Sequence, residues 1–201
     1  MMVPEKLLRL RQFCLAAVVL AAVPANAETR GLASQPKTEN PADVSIEMTA
    51  GRNVDIGTEV LFRISVAKPG YIMLVDIDTT GKMSQIYPRP ELLSRFNQPD
   101  LNLVKPGSPF VIPSDEQKGQ GFKYVVTPPL GSSAVIAILS EKRVQLLDLP
   151  DLPQEVKSQV DVITSLAKWM DELRIPDVKT GKLEKTNWSI AVKPYSIQVG
   201  H

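Results

Sequence analysis

Asp76-Ile77-Asp78-Thr79-Thr80-Gly81 sets two carboxylates two positions apart, shortly ahead of a glycine. That is how a calcium loop of the EF-hand kind opens, with oxygen ligands at alternate positions. Such a loop closes on a bidentate Glu at its twelfth position, where this chain has Tyr87. It also needs helices on both sides, and the flanks here alternate like strands. Asp76 and Asp78 are therefore read as parts of a hairpin turn, in which Asp bonds its own backbone and Gly81 takes positive φ. A weak surface calcium site is the alternative reading of the same two residues.

Ser65-Val66-Ala67-Lys68 matches S-x-x-K, and Lys179-Thr180-Gly181 matches K-T-G, two elements of penicillin-binding enzymes. In those enzymes the serine and lysine share a helical face, whereas residues 60–66 alternate as a strand running into Pro69-Gly70. No S-D-N element lies between the two motifs, so both matches are coincidental. The rings of Phe62, Tyr71, Tyr87, Phe110, Phe122 and Tyr124 offer a ligand groove, although rings at strand positions more often form core or cross-strand pairs. The candidate ligand or partner surface is Tyr71, Tyr87, Arg89, Phe96 and Trp169. No catalytic residue and no cofactor is proposed.

Counting narrows the chemistry further. The one cysteine, Cys14, lies near the N-terminus, and the one histidine, His201, is the last residue. Disulfides, thiolate catalysis and Cys-type zinc sites have no residues to use beyond the leader. A Ser-His-Asp triad would depend on a terminal residue.

Residues 1–27 have the three parts of a secretory signal. Lys6, Arg9 and Arg11 supply positive charge, Phe13 to Val23 is an uncharged apolar run, and Ala25-Asn26-Ala27 is the cleavage pattern. The run is shorter than the ~20 residues a membrane-spanning helix needs. Cys14 stands at the start of the run, not after it, which argues against a lipid anchor. Cleavage after Ala27 removes Lys6, Arg9, Arg11 and Glu5, so 23 basic and 22 acidic residues become 20 and 21. A formal charge of +1 becomes −1, and no basic excess remains to collect phosphates, so nucleic-acid binding is not expected.

The elements that would position any site follow from periodicity. Residues 28–43 are polar, carry Pro and Gly, and read as a disordered leader. Strands are expected at Val44–Met48, Val60–Val66, Tyr71–Ile77, Lys82–Tyr87, Phe110–Ile112, Phe122–Val126 and Ala134–Leu139, with a short strand at Leu101–Val104. Lys68-Pro69-Gly70 is read as a turn in which Gly70 takes positive φ. Pro90 opens a short helix, and Ser114 to Gly121 is a polar loop. Past Pro150 the period turns helical. Val156, Val160, Ile163, Ala167 and Met170, joined by Leu166, Trp169 and Leu173, predict an amphipathic helix over 153–174. Trp188–Val192 reads as a closing strand.

Several short features recur in order. They are the Val60/Phe62/Ile64 strand, Gly70-Tyr71 opening a buried strand, Asp76 to Gly81, and Ile86-Tyr87-Pro88. Gly107, Ile112-Pro113, and Gly131 ahead of Ala134–Ser140 complete the set. Over about residues 58–140 the chain thereby resembles the family called domain of unknown function 4384. The resemblance implies a β-sandwich module of exported or membrane-anchored bacterial proteins, without established catalysis. Arg89 to Asn97 reads as an insertion in the pattern, and the helical tail lies outside it.

The expected fold is mainly β: an antiparallel β-sandwich (immunoglobulin-like) with one C-terminal amphipathic helix and a closing strand. Residues 44–145 would form the sandwich, and 146–201 would pack on the same domain. The expected role is an exported, non-enzymatic binding or protein-interaction module of the bacterial cell envelope, periplasmic or secreted. Its partner would be another envelope protein, met through loops 88–108 and 113–121, with no membrane anchor after cleavage. Two alternatives stand beside it. One is a structural subunit of an envelope assembly docking through helix 153–174. The other is a hydrolase with paired carboxylates drawn from Asp76, Asp78 and Glu91.

Overall fold

The computed structural model describes residues 39–152, 158–177 and 179–200. The signal sequence, most of the polar leader, the expected first turn of the long helix and His201 lie outside them.

In chain order, the first half runs β1 (Ser45–Met48), β2 (Asn53–Asp55), β3 (Glu59–Val60), β4 (Phe62–Ser65), β5 (Gly70–Ile77) and β6 (Met83–Tyr87). There follow α1 (Pro90–Phe96), β7 (Leu103–Val104), β8 (Phe110–Ile112), α2 (Asp115–Gly119), β9 (Tyr124–Val125) and β10 (Gly131–Ser140). The chain finishes with α3 (Gln159–Glu172), β11 (Ile175–Pro176), β12 (Leu183–Glu184) and β13 (Trp188–Gln198). The fold is mainly β, as expected, and the C-terminal helix and closing strand are both present.

Two sheets carry the architecture. The larger has the order β2-β13-β10-β5-β6, with β7 also paired to β5; the smaller is β1-β4-β8. All these pairings are antiparallel except that of β13 with β2, which is parallel. The centre of the large sheet is apolar on both faces because both are covered. Ile72 and Leu74 of β5, with Val135, Ala137 and Leu139 of β10, share a core with Ile46, Phe62, Ile64 and Ile112 of the small sheet. Met73, Val75, Ile77, Ile136 and Ile138 face the other way and pack with Val162, Ile163, Leu166 and Met170 of α3. Alternate residues of β5 and β10 thus serve two cores, and the result is small sheet, large sheet and helix in three layers.

Four local readings are corrected. The long helix α3 starts at Gln159: Ser158 is its N-cap, extended in backbone and closed by a capping box with Asp161. The polar stretch after Pro113 is not all loop. Ser114 accepts from the Gln117 N–H while the Gln117 side chain returns to the Ser114 N–H, and this capping box starts the short helix α2. β13 runs on to Gln198, past Pro194, which falls where β13 pairs with β10 on one side and is not yet joined by β2 on the other. Gly70, finally, is needed for space: a Cβ there would stand 2.7 Å from the Ser140 carbonyl oxygen and 2.8 Å from Leu139 Cγ, and its φ is not in the positive region.

Candidate functional site

The inner faces of the two sheets do not close on one another along their whole length. Beyond Leu74 on β5 the next inner-facing residue is Asp76, and before Val135 on β10 it is Ser133. Tyr195 of β13 stands opposite Ser133, and Ser84 of β6 stands opposite Asp76. At this end the apolar row gives way to hydroxyls and a carboxylate, and the sheets part around a cleft of about 410 Å³. Phe62, Val60 and Met48 form the facing apolar wall; Tyr124 to Pro129 make one side, and Asp78, Lys82 and Arg89 also line the cleft.

The polar groups of the cleft are tied together in part. The Tyr195 hydroxyl donates to Asp76 Oδ1 at 3.0 Å. Burial raises the Asp76 pKa and the negative charge of Asp78 adds to that, while the bond from Tyr195 partly offsets it. Burial raises the Tyr195 pKa as well, with Asp76 beside it contributing in the same direction. Ser133 is fully buried, and its Oγ, although it lies beside Tyr195 and favours that ring's ionised form, makes no hydrogen bond of normal geometry. Asp78 differs from Asp76. Burial works against its charge, but Thr80 Oγ1 and the backbone N–H groups of Lys82 and Thr80 all donate to it and hold its pKa below the usual carboxylate value. Asp78 therefore organises the hairpin turn with Gly81 at φ +87°. Among the described residues no third acidic, His or Cys side chain joins Asp76 and Asp78 to hold a metal ion.

Arg89 is half-buried, with its guanidinium carbon 4.8 Å from the centre of the Tyr124 ring. Tyr124 donates its hydroxyl to the Ile86 carbonyl, and burial pushes its pKa up to about 12 against the pull of Arg89. The Tyr124 ring also meets Phe62 edge-on at 5.8 Å.

The five residues proposed as a contact surface are not brought together. Arg89 alone of them lines the cleft. Tyr87 is wholly buried, donates its hydroxyl to the Leu101 carbonyl and packs edge-on against Phe110, so it is corrected from a surface contact to a core residue. Tyr71 is half-buried and donates to Asp100. Phe96 packs against Phe122, and Trp169 lies with the α3 core on the opposite face of the large sheet. Neither Ser133 nor Tyr195 was among the candidates. The signal for Ser133 is the alternation Ser133, Val135, Ala137, Leu139, which puts it on the same face as three core residues. A second hollow of about 500 Å³ lies beside Trp188, Met170, Asp171 and Lys185, where the two charges pair with each other.

A β-sandwich with an open cleft between its sheets is the class of protein the geometry defines. Residues 53–143 match the model of one protein family, described as Domain of unknown function (DUF4384). The match meets the resemblance read from residues 58–140, and it runs from the start of β2 to just past β10. It takes in Asp76, Asp78, Arg89, Tyr124 and Ser133 but stops short of Tyr195 and α3. No curated protein and no solved structure matches the chain.

Proposed function

We propose that this chain is an exported, non-enzymatic binding module of the bacterial cell envelope, and that the cleft between its sheets is where it binds. The observation that carries the reading is the polar group formed by half-buried Asp76 and Tyr195 with buried Ser133, on the floor of a cleft whose facing wall is apolar. Ligand sites are commonly concave and mostly apolar, with a few converging polar groups. On this reading recognition lies away from loops 88–108 and 113–121, of which only Arg89 lines the cleft.

The arrangement favours binding over paired-carboxylate hydrolysis. Asp76 and Asp78 stand two residues apart at one strand end, and among the described residues lining the cleft no carboxylate stands on the facing wall. The α3 stripe is spent on the large sheet, where Val162, Leu166 and Met170 are buried, which counts against docking a partner through that stripe. The envelope location rests on residues 1–27 and their three-part signal.

Native mass spectrometry of the mature protein taken from its own envelope fraction tests the reading. A small-molecule adduct retained by the wild type and lost in Asp76→Asn is the expected result. Turnover of a substrate abolished by one Asp, Glu or Ser substitution would overturn it.

A further inference from the structure

Asp76 is costly where it stands. The inner-facing residues before it on β5, Ile72 and Leu74, have no exposed surface. The carboxylate continues that row and receives one hydrogen bond, from a neutral hydroxyl. The ion pairs of the described residues join Lys118 to Asp115, Lys142 to Glu184 and Lys185 to Asp171, and none reaches Asp76. Lys82 is exposed at the rim, and Arg89 lies over Tyr124. Lys193 is in the same cross-strand row, beyond Val135, but does not line the cleft. The nearby charge that acts on Asp76 is that of Asp78, which has the same sign. A desolvated carboxylate without a cation is destabilising unless something pairs with it.

Ser133 supplies an independent observation. Where Asp76 is half-buried, Ser133 is fully buried on the cleft floor, and its hydroxyl lacks a hydrogen bond of normal geometry. Buried polar groups are nearly always satisfied, by protein, water or ligand. It sits two residues along β10 from Val135, the residue opposite Asp76.

We propose that the cleft binds its ligand through a primary ammonium group seated between Asp76 and Ser133, with the ligand's hydrocarbon against Phe62, Val60 and Val135. An ammonium has three donors and no acceptor, which suits at once a carboxylate and a hydroxyl that has no hydrogen bond of normal geometry. It also supplies the charge that Asp76 lacks, in a charge-assisted bond stronger than a neutral one. The cations at the rim do not make this an anion site, because the group desolvated on the floor is negative. The inference rests on the cleft being the binding site and adds the chemistry of what enters it.

Titration of the mature protein with phenethylamine, phenethyl alcohol and phenylacetate at neutral pH, followed by backbone amide shifts, tests the assignment. The three probes share a ring and differ in carrying an ammonium, a hydroxyl or a carboxylate. The amine is expected to shift the amides of Asp76, Ser133 and Tyr195 and to bind at least about tenfold more tightly than the other two. Asp76→Asn, with a spectrum otherwise that of the folded chain, is expected to lose about tenfold or more in amine affinity. Ser133→Ala is expected to lose about two- to tenfold, the range of one neutral hydrogen bond. Binding of the alcohol or the acid in the cleft as tightly as the amine would overturn the ammonium assignment and leave the cleft as the site. Absence of shifts at the cleft residues with all three probes would overturn both.

Discussion

The hydroxyl of Tyr195 reaches over β10 to donate to Asp76, joining residues 119 positions apart in the chain. The bond fixes one oxygen of a carboxylate that the sheet would otherwise do better without. That relationship links the stability of the sandwich to the proposed use of its cleft, since a group held against its own solvation is a candidate for function.

Asp76→Asn separates the two. In the folded chain burial, with Asp78 adding to it, raises the Asp76 pKa above its ordinary 3.8. A carboxyl with a raised pKa contributes stability while protonated. The contribution is complete below the ordinary value and is lost as pH rises through the raised one. An amide carries no charge to desolvate and still accepts from Tyr195. The variant is therefore expected to melt higher than the wild type at neutral pH, with the gap closing as pH falls through the raised value and closed by about 4. Each gain on the order of 1 kcal/mol moves Tm by roughly 2–4 °C in a domain of this size. Paired thermal melts across that pH range check it.

Gly70→Ala is expected to destabilise the fold by about 1–3 kcal/mol, the range for overpacking. Its methyl would press on the Ser140 carbonyl and Leu139 where β5 meets β10, and backbone there gives little room to shift. Denaturant unfolding of the variant against the wild type measures the loss. A change within experimental error would show that the two strands can part.

Leu166 is 1 % exposed in the core between α3 and the large sheet. If the helix is a layer of the domain, Leu166→Ala costs about 2–5 kcal/mol in the isolated protein. If the helix serves a partner instead, the isolated protein is indifferent to the change. Chemical unfolding without any partner present distinguishes these outcomes.

Export gives a chemical readout. Expression of the full chain in a bacterial host is expected to yield a periplasmic or secreted product whose first residue is Glu28, and N-terminal sequencing reads it directly. Retention of Met1 in an envelope fraction would replace the cleaved signal with a retained leader.

The sheets were largely legible because their strands obey simple rules. Alternation marks β1 and β4, which bury one face, and the continuous apolar run of β5 marks burial on both. The helix was visible through its stripe, while its start was obscured because helical spacing continues upstream of the Ser158 cap. The cleft was harder. Asp76 lies within the sequence of a hairpin, so a turn role for both aspartates was the natural reading, yet only Asp78 is held by the turn. Tyr195 was hidden by Pro194, which ordinarily argues against a strand and here sits at a stretch of β13 with one edge unpaired. Its partnership with Asp76 depends on the order β13-β10-β5, a long-range property that no local pattern contains.

The most direct measurement is the Tm of the wild type and of Asp76→Asn with and without phenethylamine at neutral pH. A ligand that binds only the folded state stabilises it by mass action, by about 2.7 kcal/mol at a hundredfold excess over its Kd. The predicted result is a higher Tm for the wild type with amine and a smaller rise for the variant, which already melts higher alone: a tenfold weaker Kd leaves about 1.4 kcal/mol at the same concentration. An equal rise in both, or a rise in neither, would contradict a cleft that binds through Asp76.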